Sequence, residues 1–224
     1  MIFLRHSLAH LRKDLRIEWR SRDSVTGMLF FSLLVVVVFS LAFDPTAAIS
    51  RQIAGGIVWM VLLFASITAL NQSWTREQRN SVLDGQRLAP SSGAALFLGK
   101  ALANFLFVIL VELILAPLFV IFYNLHPLGQ SWLLLLVMPL GTWALVSNGT
   151  FFAALGLRTR NRELMLPLVL FPISIPALLA MVQATTNILT GENEPDLWIK
   201  LLLGYDIIFT TACLLLFEII LNAE

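Results

Sequence analysis

Six long apolar runs constrain this chain more than any other feature: Ser24–Phe43, Ile53–Leu70, Ala101–Tyr123, Ser131–Leu157, Leu164–Leu189 and Leu201–Leu221. A helix needs about 20 apolar residues to cross the hydrocarbon layer of a bilayer, and every run is of that order or longer. The runs are continuous rather than alternating, so they read as helices and not as barrel strands. Of the 15 basic and 14 acidic residues, only Glu112, Asp206 and Glu218 fall inside them, which is the confinement that hydrocarbon demands of charge. With 58% hydrophobic and 13% charged residues, the chain is also too apolar for a water-covered globule. The sequence therefore predicts an all-α integral membrane protein, one permease-like domain over residues 1–224 with six transmembrane helices.

The connecting segments give the orientation. Arg5, Arg12, Lys13, Arg16, Arg20 and Arg22 precede the first run; Arg76, Arg79, Arg87 and Lys100 follow the second; Arg158, Arg160 and Arg162 follow the fourth. The alternate connections hold only Arg51 and Lys200. Such an excess predicts that both termini and the two basic loops are cytoplasmic. About twenty polar and basic residues precede a first run too long for an h-region, which argues against a cleavable signal peptide. At about 100° per residue, Leu4, Leu8, Leu11, Leu15 and Trp19 form one stripe of residues 1–22 and the cations the adjoining arc. This predicts an amphipathic interfacial helix, its apolar side toward the leaflet and its cations near anionic lipid. A net charge of +1 argues against nucleic-acid binding.

Residues 72–100 form the longest polar interval after the N-terminal arm, nearly thirty residues where about two to eight suffice for a helix connection. Thr75-Arg76-Glu77-Gln78 has the spacing of a capping box and predicts a short helix Arg76–Leu83, ended at Asp84-Gly85; a serine after Pro90 then caps the next helix. Such a basic, structured interval at the membrane edge predicts contact with a partner. Farther along, Pro139 interrupts the fourth run and Pro167, Pro172 and Pro176 the fifth, so a kink or break is expected near Phe171–Pro176.

Chemistry-bearing patterns are scarce. No Gly-x-x-x-x-Gly-Lys-Ser/Thr is present, so the chain has no P-loop of its own, and no histidine pair or acid cluster suggests a metal site or an intramembrane protease. The single Cys213 excludes an internal disulfide and a CxxC redox pair. Glu112, central in the third run, is the intramembrane polar candidate: it must be neutral or face a polar interior or a subunit interface. Asp206, near the outer end of the sixth run, is expected to reach interfacial water or Lys200. His126, before Pro127 in an outward loop, is a candidate haem ligand.

The order of these features resembles the membrane subunits of ABC-type exporters, and more narrowly the haem exporter B family, the permeases of the cytochrome c maturation system. The telling stretches are Ile53-Ala54-Gly55-Gly56-Ile57-Val58-Trp59, Asp84-Gly85-Gln86-Arg87-Leu88-Ala89-Pro90 with Gly99-Lys100, and Leu170-Phe171-Pro172-Ile173-Ser174-Ile175-Pro176. One departure is Asp84-Gly85-Gln86-Arg87, where the family more often has an acid, Gly, Thr or Ser, Leu and Glu. The resemblance implies a non-enzymatic subunit in the bacterial inner membrane that exports haem or releases a haem-loaded chaperone. It implies a cytoplasmic ATPase subunit that carries the ATP, a haem-handling membrane protein, a small membrane peptide, a periplasmic haem chaperone, and a homodimer of this chain. Arg76, Glu77, Arg79, Asp84, Gly85, Arg87, Leu88 and Pro90 would then form the ATPase-coupling loop, with haem a substrate rather than a resident cofactor. A permease for a lipid, drug or polysaccharide, and a non-conducting scaffold for the ATPase and chaperone, share the layout.

Overall fold

A backbone surrounded by lipid must satisfy its own amides, and each apolar run does so by closing into a helix. The computed structural model describes residues 2–43, 47–79, 92–126, 128–156 and 162–222, and no strand occurs among them. The helices are α1 (Ile2–Ser21), α2 (Asp23–Ala42), α3 (Ala47–Arg79), α4 (Gly93–Phe122), α5 (Leu134–Gly156, entered through the 3-10 turn Ser131–Leu133), α6 (Arg162–Thr190) and α7 (Asp196–Asn222). Of these, α2 to α7 are long and apolar enough to cross a membrane, as the six runs predict. The chain is a multi-pass, all-α membrane protein.

The helix limits correct the predicted loop. Residues 72–79 continue α3 without interruption, where a separate helix from Arg76 was expected, and 93–100 belong to α4, as the predicted serine cap requires. Thr75 starts no helix. It lies inside α3 with its hydroxyl turned back to the Asn71 carbonyl. Ser92 is the cap expected of a serine there: its Oγ accepts the Ala95 amide at 3.3 Å. The α1–α2 corner is made differently. Arg22 takes the left-handed conformation (φ 57°), and Glu18, not an adjacent residue, caps α2 by accepting the Ser24 amide at 2.9 Å and the Val25 amide at 3.2 Å.

Lipid tails are as apolar as leucine, so association of these helices rests on close van der Waals fit and a few hydrogen bonds. Helices α3 and α5 hold the centre, each with 61% of its spanning window buried, against 17% for α2 and 22% for α7. Where α3 meets α5, the Trp59 ring lies on Gly141; a Cβ there would stand 2.2 Å from the indole. The same indole donates to Thr185 Oγ1 of α6 at 2.9 Å. Gly55 lets α3 approach α6, where a methyl group would lie 2.7 Å from Thr186 Oγ1 and 3.1 Å from the Val182 carbonyl.

Of the kink or break expected near Phe171–Pro176, the break does not occur: α6 is helical from Arg162 to Thr190 with all three prolines inside it. Neighbouring helices take up the disturbed backbone. The Ile173 carbonyl, next to the one whose partner amide Pro176 removes, accepts the Tyr205 hydroxyl of α7 at 2.9 Å, and that hydroxyl accepts the Asn148 amide of α5 at 3.0 Å. At the face opposite the N terminus, the Gly129 amide donates to the Ile188 carbonyl (3.0 Å) and the Tyr123 hydroxyl to the Val36 carbonyl (3.2 Å), which holds the connection between α4 and α5 to α6 and α2.

Candidate functional site

Helix α1 has three faces rather than two. Ser7 and Glu18 are buried, both 2% exposed, and with Asp14 they form a polar stripe turned onto the bundle, chiefly onto α4. Leu4, Leu8 and Trp19 of the predicted apolar stripe are exposed at 61%, 58% and 75%. Exposed Arg5, Arg12, Arg16 and Arg20 cover the side turned away from the bundle. The predicted stripe is therefore present, but the face that docks on the protein is the polar one between the two anticipated faces. Gly99 permits this contact, since a Cβ there would lie 2.6 Å from His10 Cβ and 2.7 Å from the Ser7 carbonyl.

One residue beyond Gly99, Lys100 enters the seam between α1, α3 and α4. Its side chain is 1% exposed, and Nζ lies 3.1 Å from Asp14 Oδ2, 3.1 Å from Glu77 Oε1 and 3.2 Å from Ser73 Oγ, over the Trp74 ring at 4.6 Å. Lys13 Nζ donates to the same Glu77 oxygen and lies 3.2 Å from Asp14 Oδ1. Two ammonium groups and two carboxylates thus close a neutral cluster, the condition under which buried charge is tolerated. Burial by itself pushes the Asp14 carboxyl up, but Lys100 and Lys13 outweigh it and hold the group below its ordinary value. Burial likewise opposes the Lys13 charge, and Asp14 and Glu77 overcome it and raise that group. Burial, then Lys13, lowers His10. Beside the cluster a cavity of about 110 Å³ opens among Lys13, Asp14, Glu18, Ser24, Ser73, Glu77 and Asn104.

Glu77 is therefore not a loop residue: it is 5% exposed and tied into the cluster at the end of α3. Arg76 and Arg79 lie in the last turns of α3, and their side chains fall outside the described part of the structure. Asp84, Gly85, Arg87, Leu88 and Pro90 also lie outside the described residues. Sequence reasoning missed Lys13, Asp14, Ser73 and Trp74 as members of a site and treated Lys100 only as a loop cation. The signals were there: Lys100 stands alone between Phe97-Leu98-Gly99 and Ala101-Leu102-Ala103, and Ser7, Asp14 and Glu18 recur at helical spacing within a basic arm.

Two acids lie within the bundle. Glu112 is 7% exposed and accepts the Thr142 hydroxyl of α5 at 2.6 Å, so the third span presents it to the protein interior. Asp206 is 6% exposed, and neither of its carboxylate oxygens has a hydrogen-bond partner among the described residues. The expected pairing with Lys200 or interfacial water is corrected: the α7 helix turns Asp206 inward and leaves Lys200 on the surface. His126 is exposed between α4 and α5, Nδ1 3.1 Å from the Asn124 carbonyl.

The sequence matches the family model described as CcmB protein over residues 5–220. Curated proteins similar to it include three named Heme exporter protein B. That of Rhodobacter capsulatus is 33% identical over 171 residues, which is 76% of this chain and 78% of the relative. That of Pseudomonas aeruginosa is 30% identical over 169 residues, 75% of each chain. That of Bradyrhizobium diazoefficiens is 28% identical over 184 residues, 82% of each.

Proposed function

This chain belongs to the CcmB protein family, and from that membership we propose that it is the membrane subunit of a haem exporter serving cytochrome c maturation. The observation that carries the reading is the extent of the match, which runs from α1 through the sixth span and so takes in the whole bundle rather than one segment. The chain acts as a transporter component, with nucleotide hydrolysis on a separate cytoplasmic ATPase.

Coupling to that ATPase runs through the segment between α3 and α4. The Lys100–Glu77–Asp14–Lys13 cluster joins the last turns of α3, the start of α4 and α1, so the ends of the two helices flanking the segment move as one body. A shift applied to Arg76, Arg79, Asp84, Gly85, Arg87, Leu88 or Pro90 then passes to the spans as a rigid displacement. Thirteen cations against two support a cytoplasmic position for this segment and both termini. A two-fold ATPase pair engages one copy per half, which favours a homodimer. A haem-handling membrane protein, a small membrane peptide and an external haem chaperone complete the assembly. His126 is retained as a haem-contacting candidate on the outer face, and Glu112 as the polar group of the transport path.

In a strain lacking this chain, haem-stained c-type cytochromes are expected to disappear from the membranes and to return with the wild-type copy; normal holo-cytochrome levels in the deletion strain would overturn the exporter reading. Arg79→Ala, Arg87→Ala and Gly85→Val are each expected to reduce ATPase co-purification. Retention of the ATPase by all three would remove the docking site while leaving the exporter reading intact.

A further inference from the structure

The charged surface of α1 does not end with the cluster that fastens it. Arg5, Arg12 and Arg16 are spaced seven and four residues apart, so they stand in one row along the helix. All three are exposed, and none makes an ion pair among the described residues, in contrast to Lys13 and Lys100, which are fully engaged. With Leu8, Ala9, Lys13 and Ile17 the three arginines line a wide-open surface groove of about 630 Å³ on α1. The exposed stripe of Leu4, Leu8 and Trp19 lies directly beside this row.

We propose that this groove is a binding site for the headgroup of an anionic phospholipid, its phosphate held by Arg5, Arg12 and Arg16 and its acyl chains lying along Leu4, Leu8 and Trp19. Charge complementarity selects an anion, and the planar guanidinium fork matches phosphate oxygens better than an ammonium does. The adjoining apolar stripe selects an anion that carries hydrocarbon, because a free phosphate or an acidic peptide would leave it unfilled. The bundle supplies the geometry: by docking the polar stripe of α1 on α4, it turns the arginines away from protein and toward whatever surrounds the helix. Lys13 belongs to both groups, since it lines the groove and also donates to Glu77, so an occupant of the groove bears on the cluster at the base of the segment between α3 and α4. The inference concerns lipid alone and is independent of the transported species.

The test is native mass spectrometry of the full-length protein released from micelles doped with equal amounts of phosphatidylcholine and phosphatidylglycerol. Wild type is expected to retain phosphatidylglycerol preferentially. Each arginine near such a headgroup contributes about fivefold, so Arg5→Gln, Arg12→Gln and Arg16→Gln together should lower the preference by roughly a hundredfold. The corresponding triple change to Lys, which keeps the charge and the helix, should keep most of it and shows that the loss is not one of folding. Lys200→Gln on the opposite face should change nothing. Equal retention of both lipids, a preference that survives the triple Gln variant, or displacement of the lipid by millimolar inorganic phosphate or by an acidic peptide would each overturn the proposal.

Discussion

Lys100 shows how one side chain fixes the arrangement of three helices. With its ammonium 3.1 Å from each of two carboxylates and almost no exposure, it cannot be truncated without stranding negative charge. Lys100→Met is expected to cost about 3 kcal/mol or more, read as a fall in the thermal midpoint in detergent, whereas Lys100→Met combined with Glu77→Gln restores charge balance and should recover part of it. The pH response of the same seam follows from its groups. Asp14 is held below its ordinary 3.8, so its contribution is present above that value and is lost as pH falls through the lower folded value. His10 is held below 6.5, so acidification protonates it more readily when α1 is free, and this term weakens docking from about pH 6.5 downward. Lys13 is raised above 10.5 and loses its contribution only beyond that. Limited proteolysis is therefore expected to find α1 protected from about pH 7 to 10 and progressively cleaved toward pH 4. Deeper in the bundle, Glu112→Gln keeps an oxygen for the Thr142 hydroxyl and should leave the melting temperature within error, while Glu112→Leu leaves that hydroxyl unpaired and should cost about 1–3 kcal/mol. A transport role for the acid then appears as loss of holo-cytochrome formation in the Gln variant despite normal stability.

At the scale of the helix, neighbouring glycines have opposite sensitivities. A methyl group at Gly55 would meet Thr186 and the Val182 carbonyl of α6, whereas at Gly56 it would meet nothing within 4 Å. Gly55→Ala should destabilise by about 1–3 kcal/mol through forced separation of α3 and α6, and Gly56→Ala should stabilise by up to about 1 kcal/mol through helix propensity alone, a contrast that paired thermal melts will resolve. The six spans were legible because hydrophobicity over twenty residues is a property of the sequence itself. The start of α4 was legible as well, from the serine after Pro90, but the end of α3 was not, since Gln72–Arg79 is polar in composition and helical by continuation. The Thr75–Gln78 spacing matched a cap, yet a cap needs a non-helical residue before it, and the adjoining α3 already supplied helix. Likewise three prolines argued for a break in α6, and only the partner groups on α5 and α7 explain why none occurs. The docking stripe of α1 stayed hidden for a related reason: a polar helical face reads as solvated until its countercharges on other helices are known.

For the whole molecule, orientation is the quantity that separates one functional assembly from another, and Cys213 makes it measurable. It is the chain's one cysteine and is only 4% exposed, so surface thiols can be introduced against a silent background. Arg160→Cys, in the basic turn between α5 and α6, is expected to react with a membrane-impermeant maleimide only after the cytoplasmic side is opened; Glu192→Cys, between α6 and α7, should react in intact spheroplasts. The reverse pattern would move the α3–α4 segment to the side without ATP. The cavity beside the charged cluster has a consequence for how such an assembly works. About 110 Å³ is room for several water molecules beside Lys13, Asp14 and Glu77. Water there would give these three groups a substitute partner if α1 shifted on the bundle, so that no charge need be left bare in a low-dielectric seam.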